Sequence, residues 1–416
     1  MSPHARHKAQ IDPAGRLELP PGLAGRFGLL PGEQIVLEEN DRQLILHRPV
    51  TFLERVYLEI TNTCNLGCRT CVRNVWEEPL GYIDRPTYQR LLDGLSAFSP
   101  LPAVFFGGFG EPLAHPGVLD MVRAAAGLGV QVEMITNGVL LDEAAARGLL
   151  EAGLHLLWVS LDGATPDQYL DVRLGDELPT ILANLRRFKD LRAQTGSSTG
   201  LGIAFVALRR NLADLPAVLE LGLELGADHF SVTNVLAHTR EMRAEILYER
   251  TQYQTPNRRS TGQAWINLPR TDLNPEIQAI LARIERSGCQ VLIAGEQPQR
   301  AVNRCPFIEK GSLSVRWDGK VSPCLALLHT QDSYLDNHLR RSHATLVGDL
   351  NRQSLAEIWL DPQYIELRRR LKDFDFSPCT LCNSCEMADQ NLEDCFGNLQ
   401  PACGGCLWAQ GLIQCP

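Results

Sequence analysis

The stretch VYLEITNTCNLGCRTC, residues 56–71, runs from an apolar segment straight into three cysteines spaced C-x3-C-x2-C. Its first part, VYLEIT, has the near-continuous apolar character of a buried strand. Cys64, Cys68 and Cys71 then fall in a short polar loop. Three thiols in eight residues suit zinc, redox or iron–sulfur chemistry. A structural zinc site takes four ligands from paired knuckles, and no cysteine or histidine follows before His115. TNTCNLGC is also a poor pattern for cysteines that only fill a core. An iron–sulfur cluster with three protein thiolates and one open iron accounts for the count directly.

Outward from this loop, short apolar runs alternate with helical stretches. The expected strands are 56–61, AVFF (103–106), QVEMIT (131–136), LLWVSL (156–161), GIAFVAL (202–208) and HFSVTNV (229–235). Such alternation predicts an α/β fold with a parallel sheet, here a partial (β/α)6 TIM-like barrel over residues 51–300. Chemistry in such barrels gathers at the C-terminal ends of strands, where the three cysteines stand. Residues 237–272 read as a polar, irregular lid, binding loop or insertion. NPEIQAILARIER then predicts a helix capped by Asn274 with Pro275 first, burying Ile277, Ile280, Leu281 and Ile284. SLSVRW and KVSPC flank Asp318-Gly319, a hairpin signal.

The net charge of −9 gives no general attraction to nucleic acid or anionic membrane. No apolar run approaches the ~20 residues of a membrane helix, and the first twenty residues lack a signal peptide's apolar core. A cytoplasmic location is expected. A reducing compartment makes thirteen cysteines a sign of metal or redox chemistry rather than disulfides. Cys289 reads as an inert thiol entering a strand; nine others follow residue 304.

Residues 1–50 predict a separate small β module. RLELP, QIVLEE and QLILHR read as strands and PPGLAGRFGL as a short helix. So little core predicts pairing with a second copy. Gly15-Arg16, Pro20, Gly28-Leu29 and Pro31-Gly32 sit where an AbrB-type swapped-hairpin domain has them, and the stretch resembles that family. The resemblance implies a homodimer. With six Lys/Arg against six Asp/Glu in residues 1–50, DNA binding is not expected and dimerisation or partner docking is.

C-x3-C-x2-C after a barrel's first strand resembles the radical S-adenosylmethionine (radical SAM) superfamily. The resemblance implies that Cys64, Cys68 and Cys71 ligate a [4Fe-4S] cluster whose open iron chelates S-adenosyl-L-methionine. Reductive cleavage then gives a 5′-deoxyadenosyl radical. It also implies cofactor contacts from Gly107, Gly108 and Glu111 in FFGGFGEP, with Glu111 meeting the methionine ammonium. Asn137, Ser160 and Asp162 would bond ribose or methionyl groups, and Arg173 the methionyl carboxylate. Thr70 departs from the pattern, since an aromatic residue that packs near the adenine often precedes the third cysteine.

Residues 301–416 hold Cys305, Cys324, Cys379, Cys382, Cys385, Cys395, Cys403, Cys406 and Cys415. Zinc knuckles from CTLC and CGGC are one reading. Cys305, the hairpin, G-x4-C at Cys324 and the later C-x2-C resemble a SPASM domain, which implies one or two auxiliary [4Fe-4S] clusters. The spacing of Cys385, Cys395 and CGGC departs from that family, so ligands are not assigned to clusters. The whole arrangement looks most like radical SAM maturases encoded with tungsten-containing oxidoreductases of the aldehyde ferredoxin type. That implies hydrogen abstraction on the tungsten oxidoreductase or its pterin cofactor, with electrons from a ferredoxin or flavodoxin. A peptide-modifying maturase with a peptide substrate, forming a crosslink or thioether, and an iron–sulfur redox sensor with a DNA-binding front domain are the alternatives.

Overall fold

The computed structural model describes residues 7–29, 35–40, 43–248, 265–269, 274–286, 290–293, 304–335, 338–377, 379–381 and 385–415. Cys289 and Cys382 lie outside the described residues. One open sheet of eleven strands organises the chain. Eight parallel strands stand side by side in sequence order. They are β1 (Arg55–Leu58), β2 (Ala103–Phe106), β3 (Val132–Thr136), β4 (Leu156–Ser160), β5 (Gly200–Ala207), β6 (His229–Asn234), β7 (Trp265–Leu268) and β8 (Gln290–Ile293). The six expected strands are β1–β6. The sheet continues for two more, and β7 falls inside the stretch read as irregular.

On the free side of β1, the chain's last third extends the same sheet. Strand β9 (Ser312–Val315) runs parallel to β1, and β10 (Lys320–Ser322) and β11 (Gly348–Asp349) add antiparallel. The β9–β10 turn is the expected hairpin, with Gly319 at a left-handed φ of 85°.

Side chains alternate across the sheet with the strand period of two. Val56, Leu58, Val104, Phe106, Val132, Met134, Leu157 and Val159 face the helices. Those include α1 (Arg85–Leu95), α2 (Val118–Gly127), α3 (Glu143–Glu151), α4 (Pro166–Arg173), α5 (Leu178–Thr195), α6 (Leu215–Glu224) and α7 (Pro275–Arg286). Caps fix where several begin: Asp84 accepts from Thr87 N, Asp142 from Ala145 N, and Asn274 from Ile277 N at 2.9 Å. The opposite-facing Tyr57, Phe105 and Trp158 pack instead against Phe307, Leu325, Ala326 and Ala409. The C-terminal region therefore fills the sheet's inner face, and its tail lies along β6, where Asn234 Nδ2 donates to Leu412 O at 2.8 Å.

The first residues form two antiparallel pairs, Gln10–Ile11 with Leu17–Glu18 and Leu37–Asn40 with Gln43–Leu46, around helix Pro21–Arg26. The following linker is fastened to helices α8 (Leu355–Trp359) and α9 (Pro362–Asp373). Trp359 Nε1 donates to Thr51 O, and the buried Arg368 donates to Val50 O while lying 3.7 Å over the Trp359 ring.

Candidate active site

The three cysteines leave β1 where expected and open on a cleft of about 270 Å³. It is lined by Cys64, Cys68, Cys71, Gly108, Glu111, Asn137, Ser160 and Arg173, which come from the ends of β1–β4 and from α4. Thr70 and Phe109 line it too, and Trp408 and Ile413 of the tail form part of its wall.

The cysteine loop is held by its own polar residues. Arg73 donates to Asn62 O (2.8 Å) and Leu66 O (3.1 Å), and its Nε lies 3.4 Å from Cys71 Sγ. Asn74 Nδ2 donates to Cys68 O at 2.8 Å. Asn137 Nδ2 reaches Asn65 Oδ1 at 2.8 Å and Cys64 Sγ at 3.7 Å. Arg173 Nη1 lies 3.5 Å from Cys68 Sγ. Each sulfur thus faces an N–H donor, two of them cationic, which suits thiolates. Burial pushes the Cys64 thiol up, against the pull of the Leu66 N–H. Arg173 Nε is buried without a hydrogen-bond partner. This donor set fits a cluster on the three thiolates with a polar ligand beside it.

The glycine loop after β2 packs against the cysteine loop. A Cβ on Gly110 would stand 2.1 Å from Thr61 O, and one on Gly108 2.7 Å from the Glu59 side chain. Gly107 does not line the cleft; its Cβ would strike Phe105 and Ile135. Glu111 is fully enclosed and accepts from Leu113 N (3.0 Å), Thr136 Oγ1 (2.7 Å) and Asn137 N (2.7 Å). Burial pushes its carboxyl up, and those three donors oppose the shift. Its first task is to tie the ends of β2 and β3 together. Asp162 is placed differently from the expectation of ligand contact. It is wholly buried outside the cleft lining, paired with Arg173 at 2.6 Å and accepting from Val206 N at 2.7 Å. Its role here is to hold Arg173. Burial pushes its carboxyl up, against the guanidinium and that N–H.

Sequence reasoning missed the bracket behind the glycine loop. Glu59, at the end of β1, accepts from Phe109 N at 3.0 Å. Its other oxygen lies 2.8 Å from Nε2 of the buried His329, whose Nδ1 lies 2.5 Å from Glu78. Both ring nitrogens face carboxylates, so both carry protons. Trp76 stacks on His329 with 4.3 Å between ring centroids and meets Phe109 edge-on. Burial lowers the His329 pKa, but Glu59 and Glu78 outweigh it and raise it above the ordinary 6.5. The bracket's contribution to stability is full below the unfolded value near 6.5 and is lost as pH rises through the raised folded value. The melting-temperature advantage of wild type over His329→Gln should therefore be largest in mildly acidic buffer and shrink as pH rises; an advantage that grows with pH contradicts the imidazolium assignment.

In the C-terminal region, Cys305, Cys324, Cys403 and Cys406 line one cavity with Arg340. Burial, with Cys305, Cys406 and Cys403 close by, pushes the Cys324 thiol well up. The CGGC spacing has a packing reason: a Cβ on Gly404 would stand 1.8 Å from Ser377 O, and one on Gly405 2.8 Å from the Arg340 guanidinium. Cys379 is buried, Cys385 half-buried and Cys395 exposed. Cys415 does not line the cavity; it lies by Tyr57 and Arg55, and burial pushes its thiol up.

Comparison with known proteins agrees with this architecture. The radical SAM superfamily model matches residues 58–221, and the iron–sulfur cluster-binding SPASM domain matches residues 305–386. The chain belongs to the radical SAM superfamily and is an enzyme of its SPASM branch, with a [4Fe-4S] cluster, S-adenosylmethionine and auxiliary iron–sulfur chemistry as its cofactors. It is 30% identical over 369 residues to the tungsten-containing aldehyde ferredoxin oxidoreductase cofactor-modifying protein of Pyrococcus furiosus, covering 88% of this chain and 97% of that one. It is 31% identical over 209 residues to the PqqA peptide cyclase of Ruegeria pomeroyi, covering 48% of this chain and 52% of that one. Among solved structures, Streptococcus suis SuiB bound to precursor peptide SuiA superposes with a TM-score of 0.53 at 14% identity, covering 76% and 67% of the two chains. The peptide-bound anSMEcpe gives 0.53 at 16% identity, covering 87% and 96%. Both share the fold. Among the described residues no helix is long and apolar enough to cross a membrane.

Proposed function

We propose that this protein is a cytoplasmic maturase that abstracts hydrogen from the pterin cofactor of a tungsten-containing oxidoreductase, or from that enzyme itself. The observation that carries the reading is the similarity to the P. furiosus cofactor-modifying protein along nearly the full length of both chains. Cys64, Cys68 and Cys71 would hold the cluster. When bound, that cluster supplies one electron that cleaves S-adenosylmethionine and releases the hydrogen-abstracting 5′-deoxyadenosyl group.

This chain's residues do the rest. Arg73, Arg173 and Asn137 present N–H groups to the three sulfurs. Ser160 and Arg173 line the cleft for the methionyl and ribose groups. Glu111, with three internal donors already engaged, keeps acceptor capacity for an ammonium. The tail closes one wall against water with Trp408 and Ile413. Cys305, Cys324, Cys403 and Cys406 are the proposed ligands of one auxiliary cluster, and Cys379, Cys382, Cys385 and Cys395 of a second. Electrons would come from a ferredoxin or flavodoxin. The front module exposes Ile11, Leu17, Leu37 and Leu44, an apolar set that supports AbrB-like pairing into a homodimer.

Similarity to a peptide cyclase favours a peptide substrate as the second reading. The two separate in an anaerobic assay with reductant and S-adenosylmethionine. Pterin-loaded tungsten oxidoreductase should accelerate 5′-deoxyadenosine formation and co-purify with the protein. Acceleration by a short precursor peptide, with none by the tungsten enzyme, overturns the first reading.

A further inference from the structure

Arg340 is a buried cation beside the C-terminal cysteines whose charge the fold leaves without a carboxylate partner among the described residues. It stands at 3% exposure in the strand His338–Ser342. Its guanidinium donates to two main-chain carbonyls, Ala388 O and Ala402 O. Among the described residues it pairs with no carboxylate; Asp389, which also acts on it, faces His338 at 3.4 Å. A buried cation satisfied only by carbonyl dipoles is strongly disfavoured unless an anion stands beside it. Its other neighbours are sulfur. It lines the cavity of Cys305, Cys324, Cys403 and Cys406, and burial lowers its pKa while negative charge on the nearby Cys379, Cys406 and Cys403 would oppose that shift. Gly405 leaves room for it inside the CGGC turn, where any side chain would collide with the guanidinium.

We infer that Arg340 is the counter-ion of the auxiliary iron–sulfur site, a fixed positive charge set between the Cys305/Cys324/Cys403/Cys406 cavity and Cys379 that raises the reduction potential of what the cavity holds. Thiolate-ligated clusters carry net negative charge, and reduction adds one more, so a neighbouring cation stabilises the reduced form more than the oxidised one. Cys379 opens the second cysteine group, so the same guanidinium acts on both groups. This rests on the reading of the four cavity cysteines as cluster ligands.

The test is a redox titration of the full-length protein, reconstituted anaerobically with iron and sulfide and followed by electron paramagnetic resonance. Arg340→Gln keeps hydrogen bonding to the carbonyls and removes the charge; Arg340→Lys keeps the charge. At a fixed poised potential, Arg340→Gln should lower the ratio of reduced to oxidised auxiliary cluster about tenfold, a shift of roughly 59 mV for one electron. Arg340→Lys should stay within about threefold of wild type. An unchanged or raised potential in Arg340→Gln overturns the inference. If Arg340→Gln takes up no auxiliary iron, iron retained by Arg340→Lys supports it, and loss in both contradicts it. Cys324→Ala/Cys406→Ala separates the underlying reading: if it loses no iron relative to wild type, the ligand assignment fails whatever Arg340 does.

Discussion

Cys68→Ala should abolish 5′-deoxyadenosine formation, by a factor of about 1000 or more, or roughly 4 kcal/mol of barrier. Iron should fall by one cluster's share, while the C-terminal group keeps its own. The loop should survive the change, because it is held by bonds that do not involve this sulfur. Cys71 N and Asn74 Nδ2 both donate to the Cys68 carbonyl, and Arg73 grips Asn62 and Leu66. What disappears is one of three thiolates, and the one that faces Arg173. Cleavage retained near the wild-type rate, measured with equal protein and reductant, contradicts the ligand assignment.

Asp162→Ala should be strongly destabilising. Asp162 is 0% exposed and Arg173 9%, and the pair is held at 2.6 Å. Removing one partner leaves a buried guanidinium uncompensated, which costs about 3–5 kcal/mol. It also frees the Val206 N–H that the carboxylate accepts. Urea unfolding should register the loss as a lower midpoint with an unchanged slope. Asp162→Asn keeps an acceptor for Val206, so it should lose less stability while still releasing Arg173 into the cleft. A wild-type midpoint in Asp162→Ala, with only the affinity for S-adenosylmethionine weakened, would restore Asp162 to the ligand-binding role.

The parts of this site that depend on spacing were legible in the sequence. C-x3-C-x2-C, Glu111, Asn137, Ser160 and Arg173 do converge on one cleft, because parallel strands of similar length deliver successive loops to the same edge. What spacing cannot show is which side of a loop a residue faces. Asp162 sits beside cleft residues yet points into protein, and the Gly107 backbone is packed against Phe105 and Ile135. The Glu59–His329–Glu78 bracket joins residues 270 and 251 positions apart, and no periodicity announces such a contact. The same holds for Arg340, which reads as an ordinary strand arginine in HLRRS. Strand β7 carries no legible sequence signal because its four residues, WINL, follow a long polar segment. CGGC reads from the sequence as a tighter knuckle, and Ser377 and Arg340 give each glycine its reason.

The central claim is that one iron beside the cysteine loop lacks a protein ligand and binds S-adenosylmethionine there. It is tested most directly on the reconstituted, dithionite-reduced Cys324→Ala/Cys379→Ala/Cys385→Ala/Cys406→Ala protein, which takes two ligands from each proposed auxiliary site and leaves the signal of the first. Its electron paramagnetic resonance signal should shift when S-adenosylmethionine is added, with 5′-deoxyadenosine appearing in parallel. A spectrum indifferent to that addition, or X-ray absorption showing zinc on residues 64, 68 and 71, contradicts it.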